Sequence, residues 1–231
     1  GLDQYSAAAR KRSEWINYLE SSRSSTAEVY QLLGFHSIAD RYYKENVESK
    51  LGGRYAGRSR TMGKLLLERN RLLRQEVDEG TLERLNILLQ EITRNRYLQL
   101  ADQRLARCLI IRALFQSGQA EKAWKVLGEL HEAEPDDFNV TKLWIEKRLE
   151  AEMLEEGEKT LMSQLQASRK QGEKLHEIDL YFLYAEFLRL RGRIDEAVRM
   201  QTEGIRLLKS FDLYTLLPEA YLDLADFFAL L

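Results

Sequence analysis

Two stretches decide the fold: residues 110–118 read IIRALFQSG, and residues 184–192 read YAEFLRLRG. Each stretch ends in a glycine, and in each case an alanine follows five residues later, at Ala123 and Ala197. Glycine allows a helix to end in the left-handed conformation, and a small alanine lets the next helix pack closely against the first. The two stretches therefore predict helical hairpins in which Ala123 and Ala197 are buried where the helices come closest.

The rest of the chain has the same helical character. It has 231 residues, of which 44% are apolar and 31% charged, and it contains only 2 prolines and 13 glycines. An all-β fold uses more glycine and proline in its turns, so the composition argues against one. Apolar residues recur at the helical period throughout. The pattern predicts an all-α fold of about eleven helices, near residues 3–20, 24–49, 59–77, 81–93, 96–117, 119–133, 138–156, 158–171, 175–191, 194–210 and 214–230.

At its turn residues the chain resembles the tetratricopeptide-repeat family. That family's motif of about 34 residues has a small residue at position 8, glycine at 15, alanine at 20 and often proline at 32. The first unit here has Gly118, Ala123 and Pro135 at the last three of these positions, with Ile111 at position 8. The resemblance implies an α-solenoid of stacked antiparallel helix pairs.

The other units match less completely. The unit around residues 184–192 has Ala185 at position 8. A weaker middle unit is predicted with Ala151 at position 8, Glu158 in place of the turn glycine and Ser163 at position 20. Residues 221–228 begin a last unit, which is expected to be incomplete because its turn glycine would fall beyond residue 231.

The resemblance divides the chain into two regions of one continuous solenoid. Residues 100–231 carry the repeats, whereas residues 1–99 are expected to form divergent N-terminal helical hairpins. The first helix of each repeat lines the concave groove in this family, which identifies a set of candidate binding residues. They are Arg112, Phe115, Arg148, Glu152, Asp179, Phe182, Glu186, Arg189 and Asp226. Such a groove becomes acidic toward the C-terminus, which suits a protein or peptide ligand with basic residues.

The charge is distributed unevenly along the chain. The net charge of −2 combines about +6 over residues 1–112 with about −8 over residues 113–231. The basic excess is densest over residues 50–74, where a basic patch of Arg54, Arg58, Arg60 and Lys64 stands out. A solvated helix face is the favoured interpretation. The alternative is the repeat region of a nucleic-acid-linked transcriptional regulator whose basic segment touches phosphate.

Little in the sequence points to catalysis. The three histidines, His36, His131 and His176, lie far apart and have no metal-ligand spacing, and Cys108 is the single cysteine. No apolar run approaches the roughly 18–20 residues that a membrane-spanning helix needs. The sequence therefore predicts a protein that is not an enzyme and that uses no metal, no cofactor and no small-molecule substrate.

The resemblance also implies a biological role. Similar bacterial chains occur as the sensory or regulatory part of larger signalling proteins such as histidine kinases, and this favours an extracytoplasmic over a cytoplasmic location. Two further partners are considered: a membrane, reached through a removed or downstream segment, and a second copy of the chain bound through residues 214–231. Nucleic acid is the less favoured partner.

Overall fold

A computed structural model of the chain describes residues 22–31, 34–48, 56–95 and 98–230. Every regular element within these ranges is helical, which confirms the predicted all-α class. The chain divides into two compact units, residues 1–127 and 128–231.

The first unit packs its helices in chain order. Residues 22–31 are helical (α1) and are followed by α2 (His36–Glu48), α3 (Ala56–Leu73), α4 (Thr81–Arg94) and α5 (Leu100–Gln116); α6 (Ala120–Ala133) begins in this unit and ends in the second. Helix α2 packs on α3, and α3, α4 and α5 pack on one another. Their core includes Leu65, Leu85 and Ile92, all fully buried.

A buried amide joins α2 to α3. Asn70 is fully buried, and its Nδ2 donates to the backbone oxygen of His36 at 2.9 Å and to Asp40 Oδ1 at 2.7 Å. The ring Nδ1 of His36 lies 2.7 Å from Asn70 Oδ1. A buried amide stabilises a fold only when its hydrogen bonds are made, so these contacts fix the register of the two helices.

The second unit also places neighbours in sequence side by side. Its helices are α7 (Phe138–Glu150), α8 (Leu154–Gln171), α9 (Lys174–Leu190) and α10 (Ile194–Ser210), then a 3₁₀ turn (Tyr214–Leu216) and α11 (Leu217–Ala229). Each helix packs on the next, and α7 also touches α9. The core of this unit includes Ile145, Leu161, Leu180 and Phe187, all fully buried.

The two turns that decide the fold have the predicted geometry. Gly118 and Gly192 are left-handed, with φ of 76° and 71°. After each glycine, the next backbone N–H reaches back across the helix end: Gln119 donates to Leu114 at 2.9 Å and Arg193 to Leu188 at 2.8 Å. The burial predicted for Ala123 and Ala197 is confirmed, since both are 0% exposed.

The middle turn falls six residues before the predicted position. Helix α7 ends at Glu150, and Glu152, not Glu158, takes the left-handed conformation, with φ of 57°. Met153 donates to the backbone oxygen of Arg148 at 2.8 Å, which reproduces the bond seen after each glycine. The prediction was wrong because it took Ala151 as the small residue of position 8 and counted the turn from there; an exposed glutamate tolerates the left-handed conformation at a cost of roughly 1–2 kcal/mol.

The corrected turn also changes the small residue that follows it. Gly157 lies five residues after Glu152 and is buried, whereas the predicted Ser163 and Ala151 are both exposed. A Cβ on Gly157 would lie 3.6 Å from Arg148 Cβ, so this is the close approach of α7 and α8.

Two other predicted boundaries need correction. The single helix predicted over residues 24–49 is two helices, because Gly34 breaks it with φ of 76°. The helix predicted over residues 59–77 begins earlier, at Ala56, and ends earlier, at Leu73. The helix predicted over residues 3–20 lies outside the described residues.

The buried alanine of the last hairpin provides a stability test. Ala197→Leu should lower the free energy of unfolding by about 1–3 kcal/mol, because the larger side chain must enter a packed core. Ala225→Leu is the matched control, since Ala225 is exposed on α11. Urea denaturation measures both, and an unchanged midpoint for Ala197→Leu would show that the hairpin is not closely packed there.

Candidate functional site

One pocket of the second unit brings together four of the predicted groove residues. Phe182, Glu186 and Arg189 from α9 and Asp226 from α11 line a space of about 670 Å³. The other lining residues are Gln201 from α10, Asp223, Phe227 and Ala229 from α11, and Leu230 directly after α11. The pocket is therefore formed by three helices, with apolar and carboxylate side chains side by side.

The wall of the pocket depends on a glycine outside it. Gly204 of α10 is buried, and a Cβ at this position would collide with the ring of Phe182. No real Cβ makes such a contact, so the ring of Phe182 can rest on α10 only because residue 204 has no side chain.

A buried glutamine fixes α11 against α10. Gln201 is 1% exposed, and its Nε2 donates to the backbone oxygen of Ala220 at 2.9 Å. The bond satisfies the buried amide of Gln201 and fixes the position of α11 along α10, and with it the position of the acidic residues at the pocket.

The charges that α9 contributes to the pocket neutralise each other. Arg189 donates from Nε and Nη2 to the two carboxylate oxygens of Glu186 at 2.7 and 2.5 Å. This bidentate pair raises the pKa of Arg189 above its ordinary value. Since the pair is complete within α9, neither charge needs a further partner.

The acidic residues of α11 are not neutralised in this way. The pKa of Asp223 is raised by partial burial of its carboxyl and by the negative charges of Glu219, Glu186 and Asp226, while a hydrogen bond from Gln201 opposes the shift. Among the described residues, no ion pair involves Asp223 or Asp226. The pocket thus has three carboxylates but only one guanidinium.

The other predicted groove residues lie elsewhere. Asp179 of α9 accepts a bond from Lys142 Nζ of α7 at 2.7 Å. In the first unit, Phe115 is half-buried and meets Trp124 edge-on at a centroid distance of 5.2 Å, one turn after Arg112 on α5.

Two residues of the predicted groove must be withdrawn from it. Arg148 is only 8% exposed; its guanidinium lies 4.1 Å above the ring of Trp144 and pairs with Glu156. Glu152 lies in the turn between α7 and α8. The error follows from the misplaced middle turn, and the small buried Gly157 was the sequence signal that could have corrected it.

The basic segment meets carboxylates in the fold. Arg54 lies outside the described residues, Arg58 is half-buried and Arg60 is exposed. Lys64 Nζ lies 3.4 Å from Glu91 Oε2, and Arg74 Nη1 lies 3.0 Å from Asp40 Oδ2. Arg71 pairs with Glu68 at 2.7 Å and Arg69 donates to Gln31 at 2.6 Å. Much of the basic excess is therefore satisfied inside the first unit, which favours a structural role.

The histidines and the cysteine have packing roles. His131 stacks on Trp144 at 4.8 Å, His176 stacks on Phe138 at 3.7 Å, and Cys108 is 5% exposed. Across the described ranges, no group of three or more His, Cys, Asp or Glu side chains is placed to hold a metal ion. None of the helices described is long and apolar enough to cross a membrane.

Comparison with known proteins identifies no relative. A scan against protein-family models, a search of curated proteins and a search of solved structures each found no match to this chain.

The contact of Phe182 with Gly204 gives a prediction about the pocket. Gly204→Ala should destabilise the protein by about 1–3 kcal/mol, because the new methyl group displaces the ring. Gly128→Ala in the interior of α6 is the control: a Cβ there meets nothing within 4 Å, and removing a helical glycine should stabilise by about 0.5–1 kcal/mol. Thermal unfolding separates the two, and equal melting temperatures would contradict the packing described for Phe182.

The raised pKa of Asp223 predicts a pH-dependent cost in stability. Because the folded state disfavours the charged carboxylate, the cost is present at neutral pH and is lost as the pH falls through the raised pKa. Asp223→Asn should therefore raise the melting temperature at pH 7, and this difference should shrink toward pH 4. Glu129→Gln, on the exposed face of α6, should change the melting temperature neither at pH 7 nor at pH 4. A melting temperature lowered at pH 7 by Asp223→Asn would contradict the repulsion.

Proposed function

We propose that the chain is a non-enzymatic module that binds another protein or a peptide, and that the pocket between α9, α10 and α11 is where the ligand enters. The observation that carries this proposal is the pocket itself. It places the aromatic ring of Phe182, the apolar Leu230 and uncompensated carboxylates around one opening. Protein-binding sites combine apolar anchors with a charged rim in this way.

The turn spacing supports a repeat architecture for the proposed module. Gly118 and Glu152, both left-handed, are 34 positions apart, which is the period of the tetratricopeptide motif. In the family's pattern, positions 2 and 5 of a first helix face the groove; counting back from Glu152 puts Lys142 at position 5, counting back from Gly192 puts Asp179 at position 2, and the two side chains are in contact. We therefore propose tetratricopeptide-like helix pairs stacked as a solenoid.

The resemblance to that family extends the proposal to a biological role. In this hypothesis the chain is the sensory or regulatory part of a larger bacterial signalling protein, and the pocket transmits the presence of its partner. Nucleic acid is the less favoured partner, because Lys64, Arg71 and Arg74 of the basic segment pair with carboxylates of the first unit.

A displayed library of random 12-residue peptides tests the pocket directly. Peptides enriched on the protein should bind Phe182→Ala about tenfold or more weakly, since a buried aromatic anchor typically contributes 2 kcal/mol or more. Phe211→Ala removes an exposed phenylalanine at the end of α10 and should leave their affinity unchanged.

A second variant distinguishes a loss of binding from a loss of folding. Leu230 lines the pocket but is 56% exposed, so Leu230→Ala should weaken the same peptides without altering the melting temperature. If every enriched peptide binds Phe182→Ala and Leu230→Ala as tightly as the unaltered protein, the proposed function is wrong.

A further inference from the structure

Helix α11 has an acidic face directed along the pocket. Glu219, Asp223 and Asp226 follow one another at intervals of four and three residues, so they lie on one side of the helix, one per turn. We call these three residues the carboxylate ladder. Asp223 and Asp226 line the pocket, and Glu219 is close enough to raise the pKa of Asp223.

The ladder differs from the charges on the opposite wall. On α9, Glu186 is bound by Arg189, and Asp179 is bound by Lys142 of α7. In the part of the chain that the structure describes, no ion pair reaches Glu219, Asp223 or Asp226. Glu186 and Asp179 of α9 are therefore each paired with a cation, whereas the three carboxylates of α11 are unpaired and repel one another.

Apolar side chains lie beside the ladder. Leu222 of α11 is 68% exposed and Leu230, directly after that helix, is 56% exposed; Leu230 and Phe182 line the pocket. A ligand that covers this surface must supply apolar area and positive charge together. Apolar groups are needed because burying the exposed leucine side chains is favourable. Positive charge is needed because a cation opposite the ladder offsets the repulsion among its carboxylates.

We propose that the occupant of the groove is a basic amphipathic helix of a partner protein, with lysines or arginines on successive turns opposite the carboxylate ladder. This inference rests on the proposed function and specifies the partner. A helix matches because its own side chains recur one turn apart, as the ladder does, and its apolar face covers Leu222, Leu230 and Phe182.

A second copy of the chain suits this face poorly. In a symmetric dimer the same patch is used by both copies, so the ladder of one would approach the ladder of the other. Like charges brought together across an interface cost several kcal/mol. Nucleic acid is disfavoured for the same electrostatic reason.

Defined peptides test the proposal by fluorescence anisotropy. The probe is an 18-residue acetylated, fluorescein-labelled helix of leucine, alanine and lysine, with the lysines on successive turns beside a leucine stripe. One comparison peptide has glutamine at every lysine position, and another scrambles the same composition so that no face is basic. The unaltered protein should bind the probe about tenfold or more tightly than either comparison, and the preference should weaken with added salt.

Matched charge variants of the protein assign the binding to the ladder. Asp223→Asn with Asp226→Asn should lower the probe's affinity about tenfold, by removing both partners of its basic residues. Glu129→Gln with Asp136→Asn removes the same two charges from exposed positions elsewhere in the second unit and should leave the affinity within about twofold. The glutamine peptide should not distinguish the two variants.

Three outcomes would overturn the inference: equal affinity for the lysine and glutamine peptides, an unchanged affinity in the Asp223/Asp226 variant, or sedimentation showing that a dimer through α11 occupies the groove. These results are distinct from failure of the proposed function. If enriched library peptides depend on Phe182 but lack basic residues, the pocket binds peptides and only the basic helix is wrong. If no library peptide depends on Phe182, the proposed site itself is lost.

Discussion

The helix packing depends on one backbone constraint, a left-handed residue at which the chain leaves a helix and turns back. At Gly118, Glu152 and Gly192 this residue turns the chain, and in each case the following N–H bonds back to a carbonyl near the helix end. The reversal brings α8 alongside α7 and α10 alongside α9, and after each of these three turns the residue five positions later is small. Ala123, Gly157 and Ala197 meet that condition, and all three are buried. Turn conformation and close packing are thus two parts of one constraint.

The distribution of charge follows from how these helices pack. In the first unit, Arg71, Arg74 and Arg84 find carboxylates on neighbouring turns and helices, and buried Glu68 accepts from both Arg71 and Arg84. A buried carboxylate needs such partners, so Glu68 fixes the partly exposed Arg71 and Arg84 against the unit. On α11, by contrast, the carboxylates of Glu219, Asp223 and Asp226 are exposed. Repulsion there is tolerated because the side chains remain hydrated, and it is the form of strain that a cationic ligand relieves.

The sequence predicted the class, most helices and the two glycine turns because those features are local. The family's pattern assigned Phe182, Glu186, Arg189 and Asp226 to a groove, and in the structure these four residues line one pocket; that they bind a ligand stays a prediction. It misplaced Arg148 and Glu152, because a glutamate in a left-handed turn has no compositional signature. Neither the pairing of Arg189 with Glu186 nor that of Lys64 with Glu91 was predicted, because ion pairs depend on side-chain geometry that spacing does not specify.

The pocket illustrates why its lining residues alone do not define the site. The ring of Phe182 can rest on α10 because Gly204 has no side chain. Helix α11 is held against α10 by the hydrogen bond from Gln201 to the backbone oxygen of Ala220. Both controlling residues are on α10, and Gly204 does not line the pocket at all. A helix that contributes one side chain to the site therefore determines the position of the aromatic wall and of the acidic wall. Changes in the packing face of α10 should alter ligand preference even where every lining residue of α9 and α11 is kept.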